Sequence, residues 1–166
     1  MQYRNLDPDY DRELAELIRR NLEARNLDIP GTAYYDENLY HLSDFYTPEP
    51  DKRVYRILVD EDGTLAGGVG IAECFVPDGS ADTMDCAELQ KLYLDDRYKG
   101  RGLGYDLMAE AERAARERGY KRIYLETHDN LDIAIHLYQQ CGYNEIERPA
   151  SVVHSTMNRF FLKELQ

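Results

Sequence analysis

Arg97-Tyr98-Lys99-Gly100-Arg101-Gly102-Leu103-Gly104 sits between an alternating apolar run and a helical one, and the fold turns on it. The run before it, Leu89-Gln90-Lys91-Leu92-Tyr93-Leu94, reads as a strand, and the segment after it carries apolar residues at helical spacing. Glycines at 100, 102 and 104 remove the side chains that would keep a ligand off the backbone. Amides at a helix start carry partial positive charge, so strand, glycine loop and helix in that order offer an anion site. Arg97, Lys99 and Arg101 add cations to an otherwise acidic chain, which suits a polyanionic ligand. Taken alone, the loop is also readable, with less weight, as a glycine-rich turn with a solvated basic rim. The flanking pattern has to decide.

Working outward, the 166 residues suit a single domain spanning 1–166, and 43% hydrophobic residues suffice for a core. A formal charge of −12 argues against nucleic acid as a partner, which would need a basic face. An acidic surface leans instead towards a cationic substrate such as a free amine. No run is long enough to cross a bilayer, and Met-Gln-Tyr-Arg-Asn-Leu-Asp at the start lacks the apolar core of a signal peptide. A soluble cytoplasmic protein with no membrane partner is therefore expected. Cys74, Cys86 and Cys141 are odd in number and show no CxxC or His-rich spacing. They read as reduced core residues, and no metal site is expected.

Residues 2–6 suit a first strand, ended by Asp7-Pro8, and from Asp9 a helix presents Leu14, Leu17, Ile18 and Leu22 on one face. A second helical stretch is expected over 34–46, unusually rich in tyrosine; its rings either cover the sheet or line a substrate pocket. Strands over 54–59 and 65–72 are joined through Asp60-Glu61-Asp62-Gly63, a polar loop takes 77–83, and a long strand runs from 84 to 94. Leu103, Leu107, Met108, Ala111, Ala114 and Ala115 then stripe a helix that Arg118-Gly119 stops. Arg122–Thr127 is a strand, Leu131, Ala134, Ile135 and Tyr138 mark a helix, and strands are expected over 143–147 and 154–165.

Two segments together resemble the GNAT family of N-acetyltransferases. Arg97-Tyr98-Lys99-Gly100-Arg101-Gly102 fits that family's [Gln/Arg]-x-x-Gly-x-[Gly/Ala] loop, and Ala134-Ile135-His136-Leu137-Tyr138-Gln139-Gln140-Cys141-Gly142-Tyr143 resembles its second signature. Within the family the chain is similar to small bacterial stand-alone enzymes. The resemblance covers 54–148 well and the first fifty residues in outline. It implies an α/β (α+β) GNAT fold: a mixed, mostly antiparallel sheet of about seven strands flanked by about four helices.

The resemblance also implies an activity, the transfer of an acetyl group from acetyl-coenzyme A to the primary amine of a small molecule by direct attack. Gly100, Gly102 and Gly104, with Leu103, Arg97, Lys99 and Arg101, then hold the pyrophosphate. Leu92, Tyr93 and Leu94 lend backbone groups to the pantetheine arm and an N–H to the thioester oxygen, a donor that in comparable oxyanion sites is worth ~3 kcal/mol. Tyr138, on the inward stripe of its helix, serves the departing thiolate. Most amines arrive protonated at neutral pH, so a base is expected; Glu88 is the first candidate and Glu73, one strand over, the second. Tyr34, Tyr35 and Tyr40 are candidates for the substrate pocket. Where many members carry Asn three residues before the signature's alanine, this chain has Leu131, with Asn130 one place earlier as a weaker match. His128, His136 and His154 lack partners at motif spacing and read as structural or solvated. The family pattern leaves room for a homodimer.

Two other ligands fit less well. A dinucleotide-binding G-x-G-x-x-G would need its third glycine at Tyr105, and a Walker loop would need Gly-Lys-[Ser/Thr]. A protein or peptide acetyltransferase, and a non-catalytic acyl-coenzyme A binding module, remain as alternatives.

Overall fold

Alternation, turn chemistry and helical periodicity together build seven strands and four α-helices among the described residues. The computed structural model describes residues 1–74, 85–153 and 155–166. The loop expected over 77–83, the strand start at 84 and His154 lie outside them. The strands are β1 (Gln2–Asn5), β2 (Val54–Val59), β3 (Leu65–Glu73), β4 (Cys86–Leu94), β5 (Arg122–Thr127), β6 (Asn144–Ile146) and β7 (Arg159–Glu164). They form one sheet in the order β1-β2-β3-β4-β5-β7-β6. Every pairing is antiparallel except β4 with β5. The sheet is therefore mixed and mostly antiparallel, as expected.

Helices α1 (Asp11–Glu23) and α2 (Leu42–Tyr46) cover one face, and α3 (Leu103–Glu117) and α4 (Asp132–Gln140) the other. On the first face Leu14, Leu17, Ile18 and Leu22 pack with Leu42, Tyr46, Tyr55 and Ile57. On the second, Leu107, Met108, Ala111, Ile135 and Tyr138 pack with Val69, Leu89, Ile123 and Leu125. A buried aliphatic side chain of this size stabilises by about 1.5–3 kcal/mol, so these two layers hold the site's walls in place. Gly70 belongs to the first layer for a steric reason: a Cβ there would meet the Tyr46 hydroxyl at 2.6 Å and the Tyr55 ring at 2.8 Å. What passes closely over β3 is thus a pair of tyrosine rings.

The stretch expected as one helix over 34–46 is broken. It forms two 3-10 turns, Ala33–Tyr35 and Leu39–His41, before the five residues of α2. Asp36 turns extended, with φ −62° and ψ 128°, and ends the first turn. Asp and Asn side chains compete for nearby backbone groups and disfavour helix interiors, and this stretch has Asp36 and Asn38 at its middle. Its order comes instead from a tertiary contact: buried Asp11 of α1 accepts from Ser43 N at 2.9 Å and from Ser43 Oγ at 2.5 Å. The last two strands are also shorter than expected, since 143–147 and 154–165 reduce to β6 and β7.

Candidate active site

The long strand β4 carries a bulge. Its ladder with β3 runs from Glu73–Ala87 to Gly70–Gln90, shifts, and resumes at Gly68–Tyr93. Lys91 takes up the extra length at φ 50°, a left-handed conformation that strains a residue with a side chain. Tyr55 Oη donates to its carbonyl at 2.6 Å, and Asp36 pairs with its Nζ at 3.3 Å, which holds the kink. Three residues before the kink β4 has already left its parallel neighbour: among the described residues the two pair over Cys86–Glu88 and Arg122–Tyr124. A wedge therefore opens between β4 and β5.

That wedge is the middle of a cleft of about 500 Å³. Leu92, Tyr93 and Leu94 line it from β4, Glu126 and Thr127 from β5, and Leu131, His136 and Tyr138 from α4 and its approach. Lys99, Gly100, Gly102, Leu103 and Gly104 form one end, and Thr32, Ala33 and Met157 line the cleft as well. Thr156 Oγ1 donates to the Pro30 carbonyl at 2.9 Å, tying the loop before β7 to the segment after α1.

At the glycine end, Gly100 and Gly102 have φ 77° and 76°, and a Cβ on either would meet nothing within 4 Å. Gly102 caps α3 from the left-handed region, a geometry that costs little only without a side chain. Among the described residues the amides of Arg101, Gly102, Leu103 and Gly104 have no acceptor. Four free N–H groups at a helix start, beside open space, make a cradle for a phosphate-bearing group. Buried Tyr98 pins the loop by donating to Asp60 Oδ2 at 2.5 Å.

The cations separate. Lys99 lines the cleft and pairs with Asp96. Arg97 and Arg101 are not among the lining residues: Arg97 binds Asp95 through Nε at 3.0 Å and Nη2 at 3.2 Å, and Arg101 lies 5.4 Å from the Tyr98 ring centre. Asn130 also points elsewhere, its Nδ2 donating to the Arg25 carbonyl at 3.1 Å, while neighbouring Leu131 faces the cleft.

Tyr138 is 6% exposed, and its ring packs 6.1 Å from Phe161 and 6.3 Å from Tyr143. Burial, helped by Cys141, pushes its phenol well above the ordinary value, so it stays protonated. Among the described residues its hydroxyl makes no hydrogen bond, and the residue lines the cleft. A phenolic proton without a protein acceptor, on a buried ring that borders the cleft, is a donor in waiting.

The two candidate bases differ. Glu73 is held by Arg53, whose Nε donates at 2.9 and 3.0 Å, and that guanidinium pulls its carboxyl below the ordinary range. Glu88 lies on β4 beside Gln90 and is not among the lining residues, though it is close enough to the lining Glu126 to feel its charge. Its Oε2 accepts from Gln90 Nε2 at 3.1 Å, and Gln90 Oε1 accepts from Tyr46 Oη at 2.7 Å. Burial raises its carboxyl above the ordinary range, and the negative charge of Glu126 pushes the same way.

Sequence reasoning passed over two lining residues. Glu126 accepts from Tyr124 Oη at 3.0 Å and from Ser155 Oγ at 3.2 Å. Thr127 is 2% exposed with an unpartnered hydroxyl. A polar pair closing an apolar strand was the available signal. Tyr34, Tyr35 and Tyr40 are outside the lining: Tyr34 Oη donates to Glu23 Oε1 at 2.7 Å and accepts from Arg19 Nη2 at 2.8 Å, and the other two rings are exposed. Tyr46 is the tyrosine of that stretch that reaches β4. His128 Nδ1 accepts from the Asn130 amide at 3.1 Å, and no group of metal-ligating side chains occurs among the described residues.

A wedge between β4 and β5, with a glycine cradle at one end and a tyrosine across it, defines a class, and the comparisons name it. The model of the acetyltransferase (GNAT) family matches residues 13–143, and the chain belongs to that family. It is 36% identical over 117 residues to the uncharacterized N-acetyltransferase YjgM of Escherichia coli, a match covering 70% of this chain and 65% of that protein's length. Among solved structures, a GNAT-family acetyltransferase from Staphylococcus aureus superposes with a TM-score of 0.82 at 20% identity, over 99% of both chains. The PaiA N-acetyltransferase of Thermoplasma acidophilum, crystallised with coenzyme A, does so at 0.74 and 18%, over 98% of each chain. At these identities the likeness is one of fold.

Proposed function

We propose that this protein transfers an acetyl group from acetyl-coenzyme A to the primary amine of a small, cationic acceptor. One observation carries the reading: four unpaired amides at the start of α3 open onto a cleft that runs past the unpaired edge of β4 to the unpartnered Tyr138 hydroxyl. Family membership supports it, as does the coenzyme A held by PaiA. Acetyl-coenzyme A would supply an activated thioester. Arg101–Gly104 amides and Lys99 would hold its pyrophosphate, and the β4 backbone from Leu92 to Leu94 its pantetheine arm.

The side chains divide the proton traffic. An ammonium must lose a proton before its nitrogen can attack, and Glu88, beside the lining Glu126 and with its carboxyl raised by burial, accepts that proton through water. Tyr138 keeps its proton until the thiolate departs, donates it there, and is reprotonated by the proton that the new amide nitrogen gives up. The carboxylates of Glu88 and Glu126 favour a positively charged acceptor. No metal, nucleic acid or membrane is needed. The test is thiol release from acetyl-coenzyme A, read with a thiol-detecting dye across a panel of small amines and peptides. Release with at least one small amine, and acetylated amine by mass spectrometry, is expected. Release with peptides alone, or with nothing on the panel, would overturn the reading.

A further inference from the structure

Two thiols meet outside the cleft, and nothing in the proposed transfer uses them. Cys74 follows the last residue of β3 and Cys86 opens β4, and the register Glu73–Ala87 sets them opposite each other. Cys74 N donates to the Cys86 carbonyl at 3.2 Å, and the two sulfurs lie 2.9 Å apart. Both cysteines are free. Opposed residues of an antiparallel ladder already hold their Cβ atoms near the spacing a cystine requires. Shortening the gap to the roughly 2.0 Å of an S–S bond asks for side-chain rotation and leaves the strands in place.

The surroundings favour reaction. Cys86 is buried beside Tyr124 and Phe160, while Cys74 is half-buried and gives access. The S–H donated by Cys74, and then the positive charge of Arg122, pull the Cys86 thiol below its ordinary value; the same contact pushes the Cys74 thiol up. A thiolate on Cys86 is thus stabilised by the S–H of Cys74 at 2.9 Å, which readies the pair for exchange.

We propose that Cys74 and Cys86 form a reversible dithiol–disulfide site, oxidised by a low-molecular-weight disulfide of the glutathione type. A thiolate of the pair attacks one sulfur of glutathione disulfide and expels a glutathione thiolate, which takes up a proton. The second protein thiol then loses its proton and attacks the mixed disulfide, forming the Cys74–Cys86 bond and releasing the second glutathione. Two electrons and two protons leave the protein, and glutathione disulfide becomes two glutathione molecules. Cys141, which lies on the far side of the sheet among α3 and α4 residues, takes no part.

The test uses the full chain, reduced and then equilibrated in glutathione buffers of increasing oxidising ratio, quenched with acid, and alkylated with N-ethylmaleimide after denaturation. Cys74 and Cys86 fall in one tryptic peptide, 57–91, and Cys141 in another, 123–159, since Pro149 blocks cleavage after Arg148. The site predicts that the first peptide loses two hydrogens and its capacity for maleimide at oxidising ratios, reversibly with dithiothreitol, while the second stays alkylated. It also predicts that oxidation raises the melting temperature of the wild type by several degrees and leaves that of Cys74→Ser unchanged. Two maleimides on the first peptide at every ratio, or stable glutathione adducts without ring closure, would overturn it. Neither readout depends on acetyl transfer.

Discussion

At the scale of single residues, Glu88 carries a cost that its proposed role explains. Its carboxyl is raised by burial and by Glu126, so the folded protein disfavours its charged form relative to the unfolded chain. A carboxyl raised on folding stabilises the fold below its unfolded value, and that contribution is lost as pH rises through the folded value. Glu88→Gln should therefore raise the melting temperature at pH 7–8, with the gain vanishing near pH 4. The same variant should flatten the acidic limb of the kcat/KM profile, whose midpoint in the wild type lies above the ordinary glutamate range. A substitution that destabilises at neutral pH, with an unchanged acidic limb, would return Glu88 to a structural role. Tyr138→Phe keeps the ring's packing on Phe161 and Tyr143 and removes only the proton. Turnover should fall roughly 100-fold, the low end of what proton transfer contributes. Coenzyme A affinity, measured by calorimetry, should change less than about fivefold, the worth of one modest hydrogen bond.

Among the elements, β4 and the loop after it set the site, and here the sequence was legible unevenly. The glycine spacing exposed the cradle because two of its glycines answer a local backbone demand, a positive φ at 100 and 102. The bulge at Lys91 was hidden, since alternation continues through it and a lysine gives no hint of φ 50°. Helix α3 was readable from its stripe; the broken 34–46 stretch was not, because Ser43's bond to Asp11 is a long-range fact. The same is true of Arg97, which looked like a phosphate ligand by spacing and is paired with Asp95, two residues away, by geometry. Placing a side chain at position 102 tests the cradle. Gly102→Ala meets no atom and should cost about 1–2 kcal/mol of stability from its left-handed backbone alone. Gly102→Glu adds a negative charge beside the free amides and should abolish coenzyme A binding while far-ultraviolet circular dichroism still reports a folded chain. Retained affinity in Gly102→Glu would remove the loop from the cofactor site.

For the molecule as a whole, two helical layers grip a sheet that is continuous at β3–β4 and split at β4–β5, and the split is where chemistry is housed. The formal charge of −12 falls on a chain whose cradle has Lys99 as its lining cation, so recognition of a polyanion rests on oriented amides more than on net charge. Ligands lacking the shape of coenzyme A should then gain little from the cleft. The most direct test is the melting temperature of the purified chain with coenzyme A, NAD or ATP. Coenzyme A at a hundredfold excess over its Kd stabilises by about 2.7 kcal/mol, roughly 5–10 °C for a chain of this size. That rise is predicted for coenzyme A and absent for NAD and ATP; no shift with coenzyme A, or an equal shift with all of them, would contradict it.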